Sequence, residues 1–290
     1  LFVLIEARSV SPLIPLTLFR NRNVSISMAA VFLTGFVMFA SPVFIPLFFQ
    51  GVLGWSATTS GNFLTPMMMA IVLGAAISGQ LMSSRFGNQY RPLGLMGLGF
   101  MGTGTFLVAL VGPDTAYFAI ISFMGIMGFG LGITLPLFTL IVLNSIPMRL
   151  MGVAGGTVQF FRTIGGTVGL SLLGAFFNNS FASNVFSSTP SNVQGILGSG
   201  GLEALTGNSR LLIGSSADDI QKYLTSMGTN TDLEISGQIA HILKASLNSA
   251  INETFFISSV IVALAVVVTI FLIPTPIFTN KRASKDDMGF

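Results

Sequence analysis

Apolar residues along this chain gather into six long stretches: Val24–Gln50, Asn62–Ser83, Pro92–Val111, Ala116–Leu143, Val153–Phe177 and Phe255–Ile273. Each is close to the roughly 20 residues that a helix needs to cross a hydrocarbon core about 30 Å thick. None contains Asp or Glu, and the one basic residue inside them is Arg162, in the fifth. The pattern predicts six transmembrane helices. Pro42, Pro46, Pro66 and Pro136 fall inside the stretches, and each removes a ladder hydrogen bond and predicts a kink.

The polar connections alternate in charge. Arg8, Arg20 and Arg22 precede the first span, Arg85 and Arg91 lie between the second and third, and Arg149 lies between the fourth and fifth. Lys281, Arg282 and Lys285 follow the sixth, whereas Gly51–Gly61 and Gly112–Thr115 hold no Lys or Arg. Cytoplasmic loops retain basic residues, so both chain ends are expected in the cytoplasm, with the protein integral to the cell membrane. The expected organisation is then residues 1–23 as the end of a preceding helix and a cytoplasmic linker, and 24–177 as the first five spans. Residues 178–251 follow as a long extracytoplasmic loop, 252–274 as the sixth span and 275–290 as a cytoplasmic tail. In the long loop, Ser187–Asn192 and Gly195–Gly201 read as coil. Ile239, Ile242, Leu243 and Leu247 share one helical face, so an amphipathic helix is expected to lead into span six.

Composition supports lipid as the solvent. Charged residues are 8% of the 290, against roughly 25% in soluble domains, and the mean hydropathy is +0.81. The net charge of +3 is scattered in pairs, which gives no nucleic-acid face. There is no Cys and a single His, His241, so a thiolate or histidine-rich metal site is excluded and no cofactor is expected. No phosphate loop or nucleophile–base pair is present, which argues against an enzyme.

Polar residues inside the spans are the functional candidates. Gln159, Thr163, Thr167 and Ser171 recur every four residues and form one stripe on span five. Arg162 lies on the same helix, roughly 15 Å deep at about 1.5 Å per residue. A central Arg is costly in lipid and marks a functional site, although it can also snorkel to the interface as an anchor. Span one carries Ser27, Thr34 and Ser41 at seven-residue spacing with Met38 nearby, and span two opens with Asn62 and Thr65. Phe123 and Met127 on span four suit a cavity for varied apolar ligands, or ordinary packing. Gly152, Gly156, Gly165 and Gly169 on span five, with Gly128 and Gly132 on span four, are expected to let helices approach closely. Pro46-Leu47-Phe48 and Pro136-Leu137-Phe138 echo one another on spans of opposite direction, which fits a 3+3 inverted repeat.

Three segments resemble a known family. They are Glu6–Arg8 with Pro15–Asn23, the loop Gly79–Gly87 with Arg85 and Arg91, and the stretch Gly152–Gly169, where an Arg is followed by paired glycines. Together they resemble the C-terminal half of the fourteen-spanner drug:proton antiporters (EmrB/QacA type) of the major facilitator superfamily. Leu1–Ile5 then reads as the tail of an earlier helix, and an N-terminal half of the same transporter is an expected partner. The resemblance implies an all-α membrane protein, a six-transmembrane-helix bundle. It also implies that spans one, two, four and five line a central cavity while spans three and six face lipid. The acidic residue usual in the loop is absent, with Ser83 and Ser84 in its place. The expected function is half of a secondary exporter that exchanges small amphipathic or cationic compounds for protons. A carrier of one metabolite or siderophore, or a non-transporting remnant, are the rival readings.

Overall fold

The computed structural model of the chain describes residues 16–83, 90–190, 193, 206–207, 217–226 and 233–272. A 3-10 turn, Leu16–Arg20, leads into α1, Arg22–Leu47. The Asn21 side chain accepts from the Asn23 N–H and caps the first turn. Pro42 and Pro46 interrupt the ladder of α1, which ends in a π turn over Phe48–Val52. Gly54, at φ 72°, turns the chain back, and Ser56 caps a short α2, Ala57–Asn62. Then follow α3, Thr65–Ser83, α4, Tyr90–Val108, and α5, Tyr117–Asn144. The last three are α6, Met151–Ser188, α7, Ala217–Ser226, and α8, Leu233–Ile270.

Among the described residues five stretches are long and apolar enough to cross a membrane: Arg22–Val52, Ala57–Met82, Tyr117–Asn144, Met148–Ser188 and Glu234–Ile270. The third expected span is α4, which is shorter, carries Arg91 in its first turn and is diluted by Gly94, Gly97, Gly99, Gly102 and Gly104. It nevertheless takes its place in the bundle. α5 lies between α3 and α4, α1 lies against α6 and α8, and α8 also reaches α4. The pairing of α3 with α5 mirrors that of α6 with α1, as an inverted repeat requires.

The helix ends meet in the order that back-and-forth crossings demand. At one end Asn21 donates to the Ser145 carbonyl at 3.0 Å and Asn144 to the Tyr90 hydroxyl at 2.6 Å. At the other, Trp55 stacks on Phe49 at 4.9 Å and meets Phe63 and Tyr117. Such aromatic clusters suit the membrane–water boundary.

Two helices outrun their expected limits. α6 continues past Phe177 to Ser188, because Phe177, Phe181 and Val185 extend its buried stripe at four-residue steps. The coil expected from Ser187 therefore starts after Ser188, and residues 191–192 and 194–205 lie outside the described residues. α8 joins the amphipathic stretch to the last span without a break, and Ile239, Leu243 and Leu247 are buried together with Ile220 and Leu224 of α7. Glu253 consequently sits inside a helix instead of preceding one. Its carboxylate accepts from Ser180 and, at 3.5 Å, from Asn184, both on α6.

Candidate functional site

α6 turns two unlike faces to its surroundings. On the inner face glycine allows backbone contact: a Cβ at Gly165 meets the Phe32 carbonyl oxygen of α1 at 2.1 Å, and one at Gly169 meets the Phe36 ring at 2.5 Å. The outer face is open. Gly152, Gly156, Gln159, Thr163 and Thr167 are exposed along it. Beside them runs an apolar strip of Val153, Phe160, Ile164, Val168 and Leu172. A methyl group placed on Gly152 or Gly156 meets nothing within 4 Å, so the expectation that they pack helices does not hold within this bundle. Their neighbour α1 leans on the opposite side of α6.

The Thr163 and Thr167 hydroxyls form no hydrogen bond among the described residues. Many other hydroxyls of the helices bond back to their own helix, as Thr157 does to Val153 and Ser171 to Thr167, whereas Ser78 donates across to Ile133 of α5 and buried Ser27 finds no partner among the described residues. Two hydroxyls on one open face are thus left for outside partners.

Arg162 does not reach for the helix end. Its Nη1 donates to Gln159 Oε1 at 3.0 Å, and its Nη2 donates to the Leu135 carbonyl and to Thr139 Oγ1, each at 3.3 Å. Leu135 and Thr139 belong to α5 and flank Pro136, which has no N–H and breaks the ladder at that level. The Thr139 hydroxyl itself donates to Leu135 at 2.9 Å. The guanidinium so bridges α6 to the kinked part of α5, five to nine residues from the end of α5 at Asn144. That is about 8–14 Å into the helix at 1.5 Å per residue.

Residues 5–170 match the family model of the Major Facilitator Superfamily. The chain belongs to this superfamily. Among curated relatives, Multidrug transporter protein MdtP of Bacillus subtilis (strain 168) is 29% identical over 97% of this chain and 51% of its own length. Multidrug resistance protein 3 of the same organism is 29% identical over 98% of this chain and 52% of its own. A Tetracycline resistance determinant of Streptomyces rimosus is 30% identical over 59% of this chain and 49% of its own. The chain spans about half the length of these relatives. As a major facilitator superfamily chain it is an integral membrane protein of a transporter family, and not an enzyme.

Within this superfamily chain the other expected cavity residues divide. Ser27, Thr34 and Ser41 are buried, because α1 is enclosed by α5, α6 and α8. Thr34 and Ser41 bond back to Val31 and Val37, and Ser41 also meets the Met127 sulfur at 3.7 Å. Met127 is wholly buried, while Met38 and Phe123 are half-buried against the core. All these pack the bundle interior and do not join the open face. Asn62 and Thr65 are exposed at the α2–α3 junction. Gly128 and Gly132 do pack closely, with Cβ positions 2.6 Å from the Met67 and 2.1 Å from the Ile71 carbonyl oxygens of α3. Gly74 serves the same α3–α5 seam, and Gly97, Gly104 and Gly130 serve the seam between α4 and α5; no motif marks them, since none belongs to a Gly-x-x-x-Gly pair. In the loop motif, Gly79 is exposed and Arg91 half-buried, while Arg85 and Gly87 lie outside the described residues.

Proposed function

We propose that this chain is one half of a secondary active exporter that exchanges amphipathic or cationic compounds for protons by alternating access. The observation that carries the reading is the outer face of α6. A membrane helix that exposes Gly152, Gly156, Gln159, Thr163 and Thr167 on one side is shaped for water, substrate or another protein wall, and not for acyl chains. The names of the drug-resistance relatives agree with export. An N-terminal half of the same transporter supplies the opposing wall, and the basic connections of this chain favour a cytoplasmic position for both its ends. The six apolar stretches of the sequence hold no carboxylate, and Glu253 of α8 stands two residues before the last of them, so the main proton carrier is assigned to that other half.

The test is accumulation of a fluorescent cation, ethidium, in everted vesicles energised with a pH gradient. The full-length protein is expected to drive accumulation that a protonophore abolishes. Residues 1–290 alone are expected to drive none. Accumulation by the fragment alone, or full-length activity indifferent to the protonophore, overturns the reading.

A further inference from the structure

We propose that Arg162, held by Gln159, Leu135 and Thr139, forms a subsite for the carboxylate, or a like anionic group, of an amphipathic substrate. This rests on the reading of the α6 face as a wall of the substrate path and adds a chemical class to it. A guanidinium carries five N–H donors in a planar fork and stays protonated in proteins. Its partners here are Gln159, the Leu135 carbonyl and Thr139, and all three are neutral. Among the described residues no carboxylate lies within ion-pair distance of it. The charge is therefore held in position without being neutralised.

A partly buried cation without a counter-ion is unfavourable, and an anion that reaches it forms hydrogen bonds roughly twice as strong as neutral ones. The three contacts fix the side chain beforehand, so little ordering is left to the binding step. Thr163, one turn beyond Gln159 on the same helix face, has its hydroxyl unengaged among the described residues. A ligand whose charged group is a cation finds no favourable place at this spot.

The test uses the full-length protein that carries this chain, with 1-pyrenebutyrate and its primary amide as probes of equal shape and different charge. In detergent the acid is expected to bind more tightly than the amide. Arg162→Gln is expected to weaken the acid by about tenfold or more while moving the amide less than about twofold. Arg162→Lys keeps the charge but loses the fork, and is expected to fall between. Equal loss for both probes means that Arg162 only props α6 on α5, and overturns the subsite. Equal affinity of the wild type for acid and amide means that a carboxylate elsewhere in the protein already neutralises Arg162, and also overturns it. Export in liposomes is scored separately. An amide that is exported while the acid is neither preferred nor sensitive to Arg162→Gln sinks the subsite and leaves the exporter standing. Arg162-dependent binding of the acid with no export of either probe supports the subsite and removes the exporter.

Discussion

The outward faces of α8 and α6 are unlike, although both helices are 38 residues long and both border the same bundle. Over its last span α8 shows Phe256, Val260, Leu264, Val267 and Ile270, an unbroken apolar strip. α6 shows an apolar strip of the same kind with a polar one beside it, from Gly152 to Thr167. A face that meets only acyl chains has no use for unpaired hydroxyls, because their partners must then be found on the same helix. Exposure alone therefore does not separate lipid from a substrate path. The polarity of the exposed face does.

The largest effect should come from a charge placed on each face in turn. Leu264→Arg, near the middle of the last span, is expected to cost about 2.5–3.5 kcal/mol and to lower the fraction that resists carbonate extraction. Thr167→Arg, on the polar strip of α6, is expected to change stability by no more than about 0.5 kcal/mol. Equal losses at the two sites, read as inserted fraction and thermal midpoint in detergent, would mean that both faces meet lipid.

Next in size is the inner face of α6. A Cβ at Gly165 lies 2.1 Å from the Phe32 carbonyl oxygen, and a backbone atom cannot step aside as a flexible side chain can. Gly165→Ala is expected to cost about 1–3 kcal/mol as α1 and α6 are pushed apart. Gly132→Ala should behave alike, because its Cβ stands equally close to the Ile71 carbonyl of α3. A melting midpoint unchanged in both variants would show that these seams are looser than the structure describes.

Length and hydrophobic pattern made the helices legible, and the alternation of basic connections made their back-and-forth order legible. Faces were harder. Ser27, Thr34 and Ser41 form a seven-residue stripe as regular as that of Gln159, Thr163 and Thr167, yet the first turns inward and the second outward. Spacing places residues on one side of a helix but does not say what stands opposite, and α1 is packed against α5, α6 and α8. The two Gly-x-x-x-Gly pairs of α6 repeat the lesson, since Gly165 and Gly169 meet α1 while Gly152 and Gly156 meet nothing. The continuation of α6 to Ser188 was within reach, because Phe177, Phe181 and Val185 keep the helical period through Asn178, Asn179 and Ser180. Those polar residues masked the period by lowering the mean hydropathy.

A smaller effect is expected at the bridge between α5 and α6. Thr139→Val removes the hydroxyl that accepts from Arg162 at 3.3 Å, while Leu135 keeps its contact. The loss should be about 0.5–1.5 kcal/mol, the size of one hydrogen bond. A valine is close to threonine in shape, so the change reads the bond and not the packing. A double cycle with Arg162→Gln sharpens it: if the two residues act through each other, the Thr139→Val cost largely disappears once Arg162 is gone. Full additivity would mean that the bridge carries no energy.

The smallest expected effect, and the one that most sharply divides the two faces of α6, is at Gly156. Nothing lies within 4 Å of a Cβ built there, and alanine is the better helix former by about 0.5–1 kcal/mol. Gly156→Ala should therefore leave the thermal midpoint of the bundle unchanged or slightly raised, in contrast to Gly165→Ala on the same helix. Gly156→Leu should also leave the fold intact, because the added bulk projects into open space. If an opposing wall closes on this face during transport, that same bulk obstructs it. Transport then falls while the midpoint holds, a combination that neither a lipid-facing nor a core position can give. A midpoint that drops in Gly156→Leu as far as in Gly165→Ala would show that the face is already covered.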